Sequence, residues 1–319
     1  MNKAYFEIIR PGIHSTLQDL GRSNQYHIGI PFSGSMDKRN YLIGNKLVGN
    51  KPNEASLEFA YQGPLIKLKL GKVTGVITGN VTFNILRKNS KIEKGLCYRT
   101  FELKDGDQLD IVSTNKSVYG YFSIKNGFAG EYIWGSCSVN TKAKIGSNDG
   151  EKFGVNQKIY INKNESLSQN NKIDYFNSKI EFIRVLKGTN FNFFSEKAKQ
   201  IFFSKEFIVS KLTDRMGMRL QGQKIENIAE ANIKSEGLIK GVIQVPPDGN
   251  PIIMLSDHGT IGGYPKIAIV ISADYDRLTQ LTPGSKIKFK SVELDEAERL
   301  YKLYEIETQN ILAEISWFS

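Results

Sequence analysis

The chain of 319 residues is long enough for one large domain or two domains of ordinary size. Hydrophobic residues make up 40% and charged residues 24%, the balance of a globular protein in water, and no apolar run is long enough to span a bilayer. The N-terminus has no signal-peptide core, and Cys97 and Cys137 form neither a disulfide framework nor a metal-ligand pair. We therefore expect a cytoplasmic protein that binds no membrane and carries two unreactive thiols.

The formal net charge is +10, but lysine and arginine are scattered singly or in pairs. No motif of a nucleic-acid-binding module accompanies the charge, so we expect no nucleic-acid partner. The three histidines, His14, His27 and His258, are far apart in the sequence. We therefore predict no metal site.

Most of the chain has the pattern of short strands separated by Gly, Asn and Asp. Three helices are predicted: residues 36–48 with Ser35 as the N-cap and Gly49-Asn50 as the stop, residues 196–202 after Ser195, and residues 294–306. The predicted strands at residues 252–255 and 267–271 are apolar on both faces and are expected to be buried on both sides. The predicted strands cover residues 65–70, 76–78, 81–86, 108–112, 119–124, 180–186, 252–255 and 267–271.

A weak internal similarity predicts two related β-rich units. Residues 6–12 resemble residues 181–188, and residues 105–111 resemble residues 283–289, in each case a strand beside a glycine turn. Residues 162–179 are rich in Asn, Lys and Ser and have the composition of a linker. We place the units at residues 1–178 and 179–319.

The richest candidate for a functional site is the segment 235–266, in which a double-proline turn, a strand and a long glycine loop follow one another. Glycines allow backbone N–H groups to approach a ligand closely. Asp248, Asp257, Thr260 and Lys266 offer an acceptor, a base, a hydroxyl and a cation. Either glycine turn alone is equally typical of an ordinary bend, but ten polar or glycine-rich residues between two apolar strands are long for a mere connection.

Two further segments contain groups that suit an anion. Arg215 and Arg219 are spaced four residues apart around a glycine turn, a pattern that fits anion binding or a pair of solvated charges. Residues 29–37 (GIPFSGSMD) place small residues before a helix N-terminus, which is typical of an anion seat or of simple helix capping.

These segments, in this order, resemble one protein family. Residues 16–22 (TLQDLGR) and 29–37 resemble its N-terminal signature, and residues 214–217 (DRMG), 235–237 (SEG), 244–249 (QVPPDG) and 262–268 (GGYPKIA) resemble its C-terminal one. The family is that of the 5-oxoprolinase C subunit, also called KipA or allophanate hydrolase subunit 2. It is similar to one half of the carboxyltransferase domain of urea amidolyase.

The resemblance implies a mainly β fold of two tandem cyclophilin-like β-barrel units with a few short helices. It also implies ATP-dependent opening of the 5-oxoproline lactam to glutamate. The partners would be the KipI-like B subunit of 5-oxoprolinase and its A subunit, and ATP with Mg²⁺ would be shared with one of these partners. Where many relatives have Gln and Thr, this chain has Gly259 and Ile261, so its pocket is less polar than theirs.

Chemistry suggests roles for the candidate residues. Lys266 and Arg215 are expected to neutralise developing charge, and Asp257 or Asp248 to position or activate water. We predict Asp257, Lys266 and Asp248 as catalytic residues. The predicted substrate-binding residues are Arg215, Gln244, Thr260, Gly262, Gly263, Tyr264, Ser33 and Gln18.

Three other functions share these motifs. The first is a KipA-type regulator that binds a KipI-like kinase inhibitor. The second is a carboxyltransferase half that acts on carboxybiotin and a urea-like amide. The third is a non-catalytic scaffold for the KipI-like partner.

Overall fold

Strands dominate the computed structural model, which describes residues 3–175, 181–226 and 233–318, so the predicted mainly β class is confirmed. The chain separates into two compact units: Met1–Ser23, Ser33–Phe176 and Thr308–Ser319 form the first, and Asn24–Phe32 and Asn177–Glu307 form the second. The predicted boundary between residues 178 and 179 lies outside the described residues. So do the end of the predicted linker and the start of the strand predicted at residues 180–186.

The first unit contains two antiparallel sheets and one helix. The elements are β1 (Tyr5–Arg10), β2 (His14–Gln18), α1 (Lys38–Leu47), β3 (Ser56–Ala60), β4 (Leu65–Lys69), β5 (Lys72–Thr78), β6 (Val81–Leu86), β7 (Ile92–Lys94), β8 (Phe101–Lys104), β9 (Gln108–Thr114), β10 (Tyr119–Ile124), β11 (Lys158–Tyr160), β12 (Asn170–Lys172) and β23 (Ser316–Phe318). One sheet has six strands in the order β11-β1-β4-β9-β6-β7, another has five in the order β2-β3-β10-β5-β8, and β12 pairs with β23.

The core of the first unit follows from alternation along its strands. In β1, Phe6 and Ile8 are fully buried while their neighbours are more exposed, as the two-residue period of a strand requires. Phe6 packs edge-on against Phe122 of β10, with ring centroids 5.5 Å apart. The two larger sheets therefore share one apolar core.

The second unit is built on one eight-stranded sheet and a separate two-stranded ribbon. Its elements are β13 (Ile183–Lys187), α2 (Glu196–Ser204), β14 (Phe207–Val209), β15 (Gly217–Gln221), β16 (Glu236–Gly237), β17 (Val242–Gln244), β18 (Ile252–Met254), β19 (Ile261–Gly262), β20 (Lys266–Val270), α3 (Ser272–Thr279), β21 (Lys286–Ile287) and β22 (Phe289–Ser291). The strand order of the sheet is β21-β14-β15-β18-β17-β20-β13-β22, and β16 pairs with β19 in the ribbon. Helix α4 (Leu294–Ala313) follows and ends within the part of the chain assigned to the first unit.

The eight-stranded sheet is nearly closed on itself. Its two edge strands, β21 and β22, are separated in the sequence only by Lys288. The sheet must therefore curve until its edges almost meet, which is the geometry of a barrel. Strands β18 and β20 have a neighbouring strand on each side in this sheet. Ile253, Ile267 and Ala268 on these strands are fully buried, as predicted for strands that are apolar on both faces.

The predicted helices form, with one cap corrected. The N-cap of α1 is Asp37, whose Oδ1 accepts the backbone N–H of Asn40 at 3.0 Å, and not Ser35. Asp37 is favoured because it directly precedes the first helical residue, where its carboxylate reaches a free N–H. Ser195 caps α2 as predicted. Helix α4 extends seven residues beyond the predicted end at residue 306, and α3 was not predicted.

Within the described residues, no helix is both long enough and apolar enough to cross a membrane.

Candidate functional site

The predicted site residues of the second unit cluster around strands β17, β18 and β20. Gln244 ends β17 and is paired in register with Lys266, the first residue of β20. The loop between β18 and β20 carries Asp257, Thr260, Gly262, Gly263 and Tyr264. The sheet therefore fixes Gln244 and Lys266, and the loop surrounds them.

Arg215 and Asp257 form a buried ion pair with two hydrogen bonds. Nε of Arg215 lies 2.8 Å from Oδ2 of Asp257, and Nη2 lies 3.0 Å from Oδ1. Their side chains are only 6% and 4% exposed. The backbone N–H of Asp257 also donates to the carbonyl of Arg215 at 2.9 Å. Since both carboxylate oxygens receive this fork, Asp257 is placed to orient the guanidinium.

Lys266 is a buried cation with a more exposed partner. Its Nζ lies 2.6 Å from Oε2 of Glu236, and the two side chains are 4% and 45% exposed. The hydrogen bond from Lys266 lowers the pKa of Glu236. The backbone N–H of Lys266 donates to Oδ1 of Asn190 at 3.1 Å, so the strand and an asparagine together hold the lysine in place.

The glycine loop packs directly onto Gln244. Its Nε2 donates to the carbonyl of Tyr264 at 3.0 Å. A Cβ at Gly262 would lie 2.7 Å from the same nitrogen, closer than side chains approach one another. Thr260 uses its carbonyl to accept the N–H of Leu238 at 2.9 Å. A larger residue at position 262 would therefore have to displace the ends of the Gln244 and Leu238 side chains.

His258 is a buried neighbour of Asp257 that the predicted site residues did not include. Its Nε2 lies 3.2 Å from the hydroxyl of Tyr26, and its Nδ1 lies 2.6 Å from the carbonyl of Gly259. The ring is 1% exposed, and burial lowers its pKa. The position inside the glycine loop is the one signal in the sequence that indicated this histidine.

Asp248 lies in a turn rather than among these buried groups. Its Oδ1 accepts the backbone N–H of Asn250 at 3.0 Å, and its Oδ2 accepts the side-chain amide of Asn250 at 2.9 Å. These bonds lower the pKa of the exposed Asp248 carboxyl. The turn borders an open cleft of about 330 Å³ lined by Lys224, Ile225, Glu226, Pro246, Pro247, Asp248 and Gly249.

Gln18 and Ser33 belong to the first unit, where both are buried. Nε2 of Gln18 donates to the carbonyl of Val139 at 2.9 Å, and Oγ of Ser33 accepts from Nδ2 of Asn140 at 3.2 Å. These bonds give both side chains a supporting role in their loops. Their predicted contact with the substrate stays a prediction.

Next to these residues lies a buried carboxylate that sequence reasoning missed. Asp19 is fully buried and accepts from the hydroxyls of Ser136 and Ser138 at 2.6 Å each. It also accepts from the backbone N–H groups of Cys137 and Gly21, both at 2.8 Å. Four donors stabilise a buried charge, so Asp19 ties together two loops of the first unit. Burial raises the pKa of the Cys137 thiol, as expected of an unreactive cysteine.

Among residues 3–175, 181–226 and 233–318, no three His, Cys, Asp or Glu side chains are grouped so that they could hold a metal ion.

The fold and the sequence define the class of protein. The model of the family "Carboxyltransferase domain, subdomain A and B" matches residues 28–291, most of the chain, and the chain belongs to this family. The predicted family resemblance is confirmed.

Two curated relatives bear the name of the C subunit of 5-oxoprolinase. The chain is 31% identical to the one from Haemophilus influenzae, covering 92% of this chain and 93% of the relative. It is 29% identical to the one from Escherichia coli, covering 98% and 97%. Its fold is similar to the crystal structure of the K. lactis urea amidolyase, with a TM-score of 0.86 and 24% identity over 98% of this chain and 20% of that one.

Proposed function

We propose that this protein is the C subunit of a 5-oxoprolinase, which opens the 5-oxoproline lactam to glutamate with ATP and with the A and B subunits of the same enzyme. Support comes from the two relatives of that name, which match over nearly their whole lengths. A cytoplasmic location belongs to the proposal.

The observation that carries the proposal is the placement of Lys266 beside Gln244. A buried ammonium and a primary amide stand in register at the ends of neighbouring strands, under a loop of glycines. A lactam is a poor electrophile, so its opening requires stabilisation of the negative charge that develops on oxygen. A fixed cation in a buried site stabilises such charge more strongly than one in water.

The other residues take supporting roles in this proposal. Arg215 presents a second cation, and Asp257 holds it in orientation through the bidentate pair. The Thr260 hydroxyl and the N–H groups of Gly262 and Gly263 hold the substrate carboxylate. Asp248, in its exposed turn, is a weaker candidate for activating water than sequence reasoning suggested.

ATP with Mg²⁺ belongs to the proposal as a ligand that this chain shares with a partner subunit of the complex.

The proposal is tested on the assembled complex. Co-expressed with the A and B subunits, the protein should hydrolyse ATP faster when 5-oxoproline is added, and glutamate should form in step. Lys266→Met should lower the 5-oxoproline-stimulated activity at least about a hundredfold. Lys290→Met, an exposed lysine of the same sheet, is the matched control and should retain it. A complex that forms but is not stimulated by 5-oxoproline would contradict the proposal and favour a regulator or scaffold.

A second candidate is a carboxyltransferase, which is favoured by the description of the matching family model. It requires a biotin-carrying partner. Transfer of a carboxyl group from carboxybiotin to a urea-like amide, with no response to 5-oxoproline, would support this alternative.

A further inference from the structure

The ammonium of Lys266 is covered by a carboxylate from the two-stranded ribbon. We call "the ribbon" the pair of strands β16 and β19, in which Glu236 is paired with Gly262 and Gly237 with Ile261. Two backbone hydrogen bonds extend the ribbon. The N–H of Ile233 donates to the carbonyl of Gly263 and the N–H of Leu238 donates to the carbonyl of Thr260, both at 2.9 Å. Glu236 reaches from the ribbon to Lys266.

The two partners of this ion pair differ in how firmly they are held. Lys266 lies on an interior strand of the eight-stranded sheet, 4% exposed, with its backbone bonded to Asn190. Glu236 is 45% exposed and lies on a two-residue strand that pairs only with another two-residue strand among the described residues. A short ribbon opens more readily than an interior strand. The cation is therefore fixed, and the half-exposed carboxylate has room to leave.

We propose that Glu236 is an internal counter-ion that stands where an anionic oxygen group of the substrate binds Lys266, and that the ligand exchanges with it. This inference rests on the proposed function only in taking Lys266 as the substrate's cationic contact. The ligand chemistry is that of a carboxylate or phosphoryl oxygen, since Oε2 of Glu236 already occupies such a place at 2.6 Å.

The properties of this ion pair favour the exchange of Glu236 for a ligand anion over a permanent bond between Glu236 and Lys266. The Glu236 side chain is 45% exposed, so water solvates its carboxylate when it moves outward. A buried ammonium left without any anion is costly, so Glu236 departs when another anion arrives. The proposal makes Glu236 a determinant of affinity that selects for anions able to displace it.

Binding to a charge-neutral variant is the first test. Glu236→Gln keeps the size of the side chain and removes the competing charge. Acetate, inorganic phosphate and 5-oxoproline are the probes, titrated by NMR against the full-length protein. We expect Kd for at least one probe to fall about three- to tenfold in Glu236→Gln. The acetate and phosphate arms tell a carboxylate site from a phosphoryl site.

The gain in affinity should depend on Lys266. In the double variant Glu236→Gln, Lys266→Met, the probes should bind no better than to wild type. If Glu236→Gln binds all three probes with unchanged or weaker affinity, or if the double variant keeps the gain, Glu236 is a structural partner and the proposal is overturned.

Hydrogen exchange provides a readout that needs no turnover. Glu236→Gln should raise the exchange rate of the Leu238 and Ile233 amides several-fold, and a saturating probe anion should do the same in wild type. The matched control is Glu206→Gln, which removes the half-exposed partner of Lys286 elsewhere in the sheet and should leave the ribbon unchanged. Unaltered protection of the ribbon in both experiments contradicts the proposal. Because acetate and phosphate are not substrates, these outcomes stay informative even if the complex fails to open 5-oxoproline.

Discussion

The hydroxyl of Tyr26 donates a hydrogen bond to Nε2 of His258 across 3.2 Å. The direction follows from the other ring nitrogen: Nδ1 lies 2.6 Å from the carbonyl of Gly259, and a carbonyl only accepts, so Nδ1 carries the proton. With burial lowering the pKa of His258, the imidazole is neutral and Nε2 is an acceptor. These two hydrogen bonds hold the start of the glycine loop, and together they require the His258 tautomer with its proton on Nδ1.

This pair predicts a pH-dependent contribution to stability. Burial lowers the His258 pKa below its ordinary value of 6.5; the hydrogen bond to the Gly259 carbonyl and the charge of Asp257 oppose the shift, and Lys240 reinforces it. The unfolded chain therefore binds the proton at higher pH than the folded one. The contribution is present above pH ~6.5 and is lost as pH falls through the folded pKa.

Urea denaturation of wild type and His258→Gln at about pH 5 and pH 7.5 measures this effect. Wild type should lose its advantage over the variant at the lower pH. Tyr26→Phe should cost about 0.5–1.5 kcal/mol at the higher pH, where the neutral ring accepts the hydrogen bond that this substitution removes. An advantage of equal size at both pH values would contradict the lowered pKa of His258.

The Arg215–Asp257 pair predicts a large loss of stability from either single substitution. The two side chains are only 6% and 4% exposed, so Asp257→Asn or Arg215→Met leaves one charge or polar group without its partner. We expect each to lower the free energy of unfolding by about 3–5 kcal/mol. Activity loss in Asp257→Ala is therefore interpretable only beside a stability measurement.

A double substitution separates the electrostatic contribution of the Arg215–Asp257 ion pair from the packing of the two side chains. Arg215→Met with Asp257→Leu removes both charges and should be less destabilised than either single variant. The complete cycle, measured by denaturation, yields the coupling between the two residues. Additive effects would show that the two side chains do not depend on each other.

Asp248 is expected to matter little for catalysis if its carboxylate serves only the turn with Asn250. Asp248→Asn keeps an acceptor for the backbone N–H of Asn250 and removes the charge. We expect kcat/KM of the assembled complex to change by less than about threefold and stability by about 0.5 kcal/mol or less. A loss of about a hundredfold would instead restore Asp248 as a catalytic residue.

Local patterns predicted much of the fold because they depend on neighbours in the sequence. The alternation in β6 and the Ser195 cap of α2 were sufficient to place those elements. Helix α3 was missed because its polar residues are not those of an amphipathic surface helix: Asp274 is fully buried and accepts from Arg184, ninety positions away. Partners at that distance leave no local signature.

In the candidate site, too, local features could be predicted from the sequence and contacts between distant residues could not. The glycine loop and the double proline indicated a segment in which the structure brings Gln244, Gly262 and Lys266 together, because turn chemistry is local. The pairing of Lys266 with Glu236 and of Arg215 with Asp257 joins residues thirty and forty-two positions apart. Sequence reasoning therefore named Lys266, Arg215 and Asp257 but not their partners. The structure places the Asp257 carboxylate against the Arg215 guanidinium, and its role as a base stays a prediction.

Gly34 and Gly29 offer a matched pair for testing backbone packing in the segment before α1. Their φ angles are +82° and +81°, so alanine carries the same left-handed strain at either residue. A Cβ at Gly34 would lie 2.9 Å from backbone atoms of Leu20 and Gly21, whereas at Gly29 it meets nothing within 4 Å.

Gly29→Ala should therefore cost about 1 kcal/mol of unfolding free energy, and Gly34→Ala about 2–4 kcal/mol, because a backbone clash is added to the same strain. Chemical denaturation of the two variants gives the difference directly. Equal losses would mean that the loop at residues 20–21 moves aside freely, which the four hydrogen bonds accepted by the neighbouring Asp19 carboxylate oppose.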